Sequence, residues 1–181
     1  VVVDPDAAIA ERFDFQAVVD ARMFKRFSPN TIRQDLPLIG LGPGFVAGEN
    51  CLAVIETNRG ANLGRIIWQG SAAQDTGIPG IVEGRGIERV LYSPSSVIFK
   101  GVWKIGELVR QGQILAEVGG EVIKAPFDGL VRGMLRDGLN IRAHMKVGDI
   151  DPCFDRDLAF QISDKALIIG KSVLEVVESL T

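Results

Sequence analysis

Two stretches of this chain match one another at a fixed offset. Ser93-Pro94 corresponds to Ala125-Pro126, 32 residues later. At the same offset Ile98-Phe99-Lys100-Gly101 meets Leu130-Val131-Arg132-Gly133, Gly106 meets Gly138, and Val109-Arg110 meets Ile141-Arg142. Repeat units this short cannot each bury an apolar face. They must pack on one another, and their short, closely spaced apolar runs predict strands. Residues 87–152 are therefore expected to form a two-fold β domain.

The pattern Val109 to Ala116, a hairpin, then Ala125-Pro126-Phe127-Asp128-Gly129 has the look of a biotinyl/lipoyl-like barrel-sandwich hybrid. Carriers of that type modify a lysine on an exposed hairpin. The corresponding hairpin here, Glu117-Val118-Gly119-Gly120-Glu121, has none, and Lys124 falls inside the following strand. The fold expectation is kept without biotin or lipoate, because a fold does not carry its function with it.

Upstream, residues 1–86 read as the C-terminal part of an α/β nucleotide-binding-like domain. Strand-like, largely apolar runs at Val1–Val3, Ala17–Asp20, Leu36–Leu41, Leu52–Glu56 and Arg65–Trp68 suit a parallel sheet. Asp4-Pro5-Asp6 is expected to open a short helix through Phe13, and Ser28-Pro29-Asn30-Thr31 a turn or helix start. Asp20 ends its strand, where open α/β sheets place ligands. Gly70–Gly86 reads as a linker. Residues 153–181 are expected to form a helix capped by Ser163, docking on the α/β part or on a partner, with Gly170 marking a close approach. The fold class is thus α/β plus all-β: a partial Rossmann-like parallel segment, a barrel-sandwich hybrid and a C-terminal helix.

The α/β part holds three glycine-bearing loops. Gly40-Leu41-Gly42-Pro43-Gly44 could approach an anion. It lacks the G-x-G-x-x-G spacing and the following helix of a dinucleotide loop, and Pro43 removes a donor. Asn58, Arg59 and Arg65 supply hydrogen bonds and charge suited to phosphate or carboxylate. Trp68-Gln69-Gly70-Ser71 could line a planar heterocycle. The alternatives are a tight structural turn for the first, a polar hairpin with a solvated arginine for the second and a core tryptophan at a strand end for the third. His144, the sole histidine, reads as a surface turn residue, and Cys51 and Cys153 do not form a CxxC pair, so no metal site is expected. No catalytic set can be named. The net charge of −3 does not favour nucleic acid, and no apolar run is long enough to span a membrane.

Gly40–Phe45 with Ala47-Gly48, Ala53–Gly60, Leu63–Ala72, Thr76–Gly80, Lys146–Pro152 and Ile162–Ala166 together resemble the YqeB-type accessory proteins of the selenium-dependent molybdenum hydroxylase system. The resemblance covers nearly the whole chain. It implies a cytoplasmic maturation protein acting with an apo molybdenum hydroxylase, either alone or as a homo-oligomer. It also implies binding of a molybdopterin-type cofactor, as molybdopterin or its dinucleotide form, and a nucleotide-binding-like half ahead of Val1. The cofactor-binding candidates are Gly42, Gly44, Asn58, Arg59, Arg65, Gln69 and Ser71. Leu52 and Ala61 stand where relatives often carry histidine, and Phe27–Thr31 departs from the usual pattern. Two other readings stay open. One is an enzyme of selenium, sulfur or nucleotide chemistry with a shared site and Cys51 as nucleophile. The other is a non-catalytic interaction scaffold.

Overall fold

The computed structural model describes residues 1–4, 7–26 and 35–180. The chain is mixed α/β, with several sheets and, among the described residues, one α-helix, which lies near its C-terminal end. It divides into two compact units. Unit 1 comprises Val1–Thr76 with Ser163–Thr181, and unit 2 is Gly77–Ile162. No helix among the described residues is long and apolar enough to cross a membrane.

Unit 1 is built on a four-stranded sheet. Strands β1 (Val18–Asp20), β2 (Leu38–Leu41) and β4 (Ala53–Ile55) run parallel, in the order β1-β2-β4. β5 (Ile66–Ile67) closes one edge antiparallel to β4. A separate ribbon pairs β3 (Val46–Ala47) with β6 (Gly70–Ser71). Successive side chains alternate between the faces of a strand. Leu38 and Val54 therefore join Phe45, Ala47 and Ala72 on one face, while Ile39, Leu41, Ala53 and Ile55 form the other. Parallel strands buried on both faces need a cover on each side. Helix α1 (Asp164–Glu178) covers the second face with Ile169, Val173, Val176 and Val177.

Three expectations change. Val1–Val3 is not a strand but exposed chain without regular structure. The first turn is a 3-10 segment, Ala8–Glu11, anchored by Asp4 Oδ1 and Oδ2, which accept from the Ala8 and Ile9 amides at 3.0 and 2.7 Å. Pro5-Asp6 and Ser28–Thr31 lie outside the described residues. The third change concerns Gly170, which marks no close approach: a Cβ there would meet nothing within 4 Å. The tight contact is made from the opposite side. Gly64 faces α1, where an added Cβ would lie 2.5 Å from Ile168 Cγ2 and 3.0 Å from Ser172 Oγ. Gly170→Ala is accordingly expected to stabilise unit 1 by about 1 kcal/mol, through helix propensity alone. The check is a rise of a few degrees in melting temperature; a fall would mean that the position is packed.

Unit 2 shows the repeat as an exchange of partners. Its strands are β7 (Val90–Tyr92), β8 (Lys100–Gly101), β9 (Leu108–Val109), β10 (Ile114–Val118), β11 (Glu121–Lys124), β12 (Gly129–Met134) and β13 (Lys146–Asp151). One sheet has the order β11-β10-β8 and the other β7-β13-β12-β9. Shifting by the repeat offset turns β10 into β13, and β8 into β12. The β10–β11 pair then maps onto β13–β7, and β10–β8 onto β13–β12. Single hydrogen bonds obey the same relation: Gly106 N–H to Val131 O matches Gly138 N–H to Phe99 O, and Gly112 N–H to Ala125 O matches His144 N–H to Ser93 O. The shared core includes Phe99, Leu115, Val118, Val131, Val147 and Ile150.

That equivalence explains His144. It occupies the turn position held in the first half by Gly112, with φ +64 against +83. It is a left-handed turn residue, strained because it carries a Cβ. The β10–β11 hairpin turns at Gly119-Gly120, while Lys124 sits at the far end of that ladder opposite Ile114.

Candidate functional site

The parallel strands of unit 1 all finish on one edge. Asp20 ends β1, Gly42 follows β2, and Glu56-Thr57-Asn58-Arg59 follows β4. In open parallel sheets this carboxyl edge is where loops diverge and leave room for a ligand.

Glu56 holds the edge together. Its side chain is buried and accepts from the Asn58 amide through Oε1 and from the Ala73 amide through Oε2, each at 2.7 Å. Its backbone N–H donates to Arg65 O, and its carbonyl accepts from Gly64 N–H. One residue thus ties the start of the β4–β5 loop, its end and the segment after β6. Both carboxylate oxygens are used, so the charge is met by amide donors inside the protein.

The glycine loop is occupied with packing. A Cβ on Gly40 would lie 2.2 Å from Phe45 Cγ, and one on Gly44 would lie 2.4 Å from Phe24 Cβ. Gly42 has φ +85, its amide donates to Ile55 O at 3.1 Å, and a Cβ would come within 3.0 Å of Thr57 Oγ1. That amide is bonded within the sheet and Pro43 has none, so neither position offers a backbone donor to an anion. Its glycines let Phe24 and Phe45 close over the sheet. Beside them Asp20 is engaged by Arg22 through both oxygens, and the Arg22 guanidinium lies 4.5 Å from the centre of the Phe24 ring. Burial works to raise the Asp20 pKa, but its hydrogen bonds to Arg22 outweigh it and hold the carboxyl below its ordinary value.

The charged side chains at the edge come from the β4–β5 loop and from α1. Arg59 makes a two-pronged ion pair with Asp164, Nη1 to Oδ2 at 2.9 Å and Nη2 to Oδ1 at 3.0 Å. Both partners are exposed to solvent at 36 and 67%, which matters because an exposed pair is weak and exchangeable. The hydrogen bonds from Arg59 lower the Asp164 pKa to about 2. The carboxylate is thus ionised at neutral pH. The pair's contribution to folding is present above the unfolded value near 3.8 and is lost as pH falls through about 2.

Lys165 follows in the first turn of α1. It is half-buried, and its pKa is lowered first by burial, then by Arg59 and Lys25, with Glu56 acting in the opposite sense. Lys25 itself pairs with Asp75 at 3.0 Å. Arg65 is exposed, and among the described residues its side chain makes no ion pair.

The sequence candidates therefore fall into two groups. Gly42, Asn58, Arg59 and Arg65 gather at the carboxyl edge. β5 then runs antiparallel to β4 and carries the chain away, so Trp68 and Gln69 follow the pairing of Ile67 with Val54. Ser71 is placed opposite Val46, two residues beyond Gly44. Trp68 is 52% exposed, which leaves its face open for stacking.

Glu56, Asp164 and Lys165 also belong to this cluster of groups, and the sequence candidates did not include them. Asp164 lies 105 residues from Arg59 in sequence, and nothing local announces the pair. Lys165 did carry a signal, since a cation in the first turn of a helix opposes the helix dipole.

Cys51 precedes β4 at the end opposite Glu56 and packs with Leu38 and Val54. Burial pushes its thiol up to about 11, so the nucleophilic thiolate is scarce at neutral pH. Among the described residues no group of three His, Cys, Asp or Glu side chains is arranged to hold a metal ion.

No family model matches this chain. It is 42% identical over 180 residues to the uncharacterized protein YqeB of Escherichia coli K12, an alignment that covers 99% of this chain and 33% of that relative. The chain spans about a third of the length of the curated relative it matches. Among solved structures it is similar to the product-bound ectoine utilization protein EutE (DoeB) from Ruegeria pomeroyi, with 20% identity over 46% of this chain and 27% of that one, at a TM-score of 0.31. It is also similar to a succinylglutamatedesuccinylase/aspartoacylase from Rhodobacter sphaeroides, with 17% identity over 48% and 30% of the two chains, at a TM-score of 0.30.

Proposed function

We propose that this chain, similar over 99% of its length to YqeB, is an accessory protein that binds a phosphate-bearing heterocyclic ligand at the carboxyl edge of unit 1. Following the resemblance, the ligand is a molybdopterin-type cofactor or its dinucleotide form. The role is maturation of a selenium-dependent molybdenum hydroxylase in the cytoplasm by direct docking to the apoenzyme. In this reading unit 1 is a partial Rossmann-like segment, and unit 2 is a barrel-sandwich hybrid that has kept the carrier fold without its swinging arm.

The observation that carries the proposal is the convergence of the β1, β2 and β4 ends on one edge, with Arg59 and Arg65 presented there beside Asn58. The donor set fits the phosphate end of such a ligand: two guanidiniums able to make two-pronged contacts, a half-buried lysine and an exposed amide side chain. Bound cofactor would supply a metal-dithiolene centre. The chain's part is to hold the phosphate end through Arg59, Arg65 and Lys165 and leave the other end accessible for transfer. The glycine loop shapes the edge and contributes little charge recognition. The protonated state of Cys51, and its place away from this edge, weigh against the sulfur- or selenium-transfer reading.

Anaerobic titration of the purified chain with molybdopterin is expected to give saturable binding. Arg59→Ala and Arg65→Ala should each weaken it about 10-fold or more, the scale of a lost charge-assisted contact. Absence of binding, or equal affinity of wild type and Arg59→Ala, would overturn the proposal.

A further inference from the structure

The Arg59–Asp164 pair is placed oddly for a structural contact. Two exposed side chains meet in full two-pronged geometry at the edge where a ligand is expected, and exposed pairs of this kind add little stability. The carboxylate belongs to the first turn of α1, while Lys165 is next to it and half-buried. A carboxylate gripped by an arginine fork at the start of a helix occupies the same chemical niche as a phosphate group. Each presents a pair of anionic oxygens that can accept parallel N–H bonds from an arginine fork, and each sits favourably at the positive end of a helix.

We infer that Asp164 is an internal stand-in for the anionic group of the ligand, masking Arg59 in the free protein and giving it up when a phosphate-bearing molecule arrives. This rests on the reading of the carboxyl edge as the binding site and adds a regulatory contact to it. The ligand class it names is a pyrophosphate or phosphomonoester, whose charge exceeds that of one carboxylate and which can engage Arg59 and Lys165 together.

The surroundings are compatible with exchange. Lys25 is held by Asp75, and both oxygens of Glu56 are bonded to backbone amides. Among these groups Asp164 is thus the carboxylate set on Arg59. Its ionisation does not change near neutral pH, since its pKa is about 2. Displacement therefore proceeds by competition between anions, with no proton uptake, and it costs the helix little because Ser163 Oγ still caps α1 by accepting from the Ala166 amide at 3.1 Å.

The test is calorimetric titration with inorganic pyrophosphate at neutral pH and low salt. Asp164→Asn keeps the shape of the side chain and removes its charge. Asp164→Asn and Asp164→Ala are both expected to bind pyrophosphate about 3- to 10-fold more tightly than wild type, with the gain shrinking as salt is raised. Arg59→Ala and the double variant Arg59→Ala/Asp164→Asn should bind weakly and alike, because the carboxylate matters only through Arg59. Thermal melts of the same variants confirm that each is folded. Equal affinity of wild type and both Asp164 variants, with Arg59→Ala still impaired, would overturn the masking and leave the site standing. Undiminished binding by Arg59→Ala, or no binding by any variant, would overturn the site and the masking together.

Discussion

Gly64→Ala is expected to destabilise unit 1 by about 2–4 kcal/mol, a large fraction of the stability of a typical small domain. Two costs add. Gly64 has φ +80, where an L side chain loses about 1 kcal/mol. The new Cβ would also lie 2.5 Å from Ile168 Cγ2, a methyl on a β-branched side chain held to one χ1 rotamer in a helix, and overpacking of this kind costs about 1–3 kcal/mol. The contact cannot simply open, because Ser172 Oγ donates to Gly64 O at 2.6 Å and holds the loop on the helix. Denaturant unfolding of wild type, Gly64→Ala and Gly48→Ala separates the two costs. Gly48 has φ +88 but nothing within 4 Å of an added Cβ, so its variant bears only the conformational share. Ile168→Ala should restore part of the loss in the Gly64→Ala background, giving a coupling between the sites. Equal losses at Gly64 and Gly48 would show that the close approach to α1 does not matter.

Glu56→Ala is expected to cost about 2–4 kcal/mol, because two hydrogen bonds to an ionised acceptor are removed together. Glu56→Gln should recover little of it. The glutamine amide turns one acceptor into a donor, and that donor would face either the Asn58 or the Ala73 N–H. The distinguishing measurement is amide exchange. Asn58 and Ala73 should lose protection in both variants, while core amides of β2 keep theirs until global unfolding. Pyrophosphate binding should weaken alongside, although Arg59 is chemically untouched, since the loop that presents it is no longer anchored. Unchanged exchange at both amides in Glu56→Ala would show that the carboxylate does not hold these loops.

Much of the frame was legible in the residues. Leu38–Leu41 and Ala53–Ile55 announce parallel strands because both of their faces are buried, and an apolar run without alternation has few other uses. The repeat in residues 93–142 was readable because its two halves make the same turns with the same residue types. Even His144 follows once it is set against Gly112. Val1–Val3 departs from its expectation for a related reason: it has the composition of a strand, but composition does not supply a partner, none pairs with it among the described residues, and an unpaired strand is not stable. Gly170 differs from its expectation because a glycine in a helix can mark close packing or mark nothing, and only the neighbouring atoms decide which.

The candidate site divides along the same line. The sequence by itself determined which residues could bear charge and where the chain must turn. Asn58, Arg59 and Arg65 are polar residues between strands, and their chemistry is fixed by type. Only the tertiary structure decided how that chemistry is deployed. It gives the Gly42 amide to Ile55 and fills the space beside Gly40 and Gly44 with Phe45 and Phe24. It separates Gln69 from Arg59 by the antiparallel run of β5, and it brings Asp164 onto Arg59 across 105 residues. The physical reason is range. Propensity, turn chemistry and repeat symmetry are set by neighbours within a few residues. The partner of a charged group is set by which distant surfaces the buried apolar faces bring together, and in unit 1 the packing of Ile169, Val173 and Val176 on the sheet carries Asp164 to the edge where Arg59 stands.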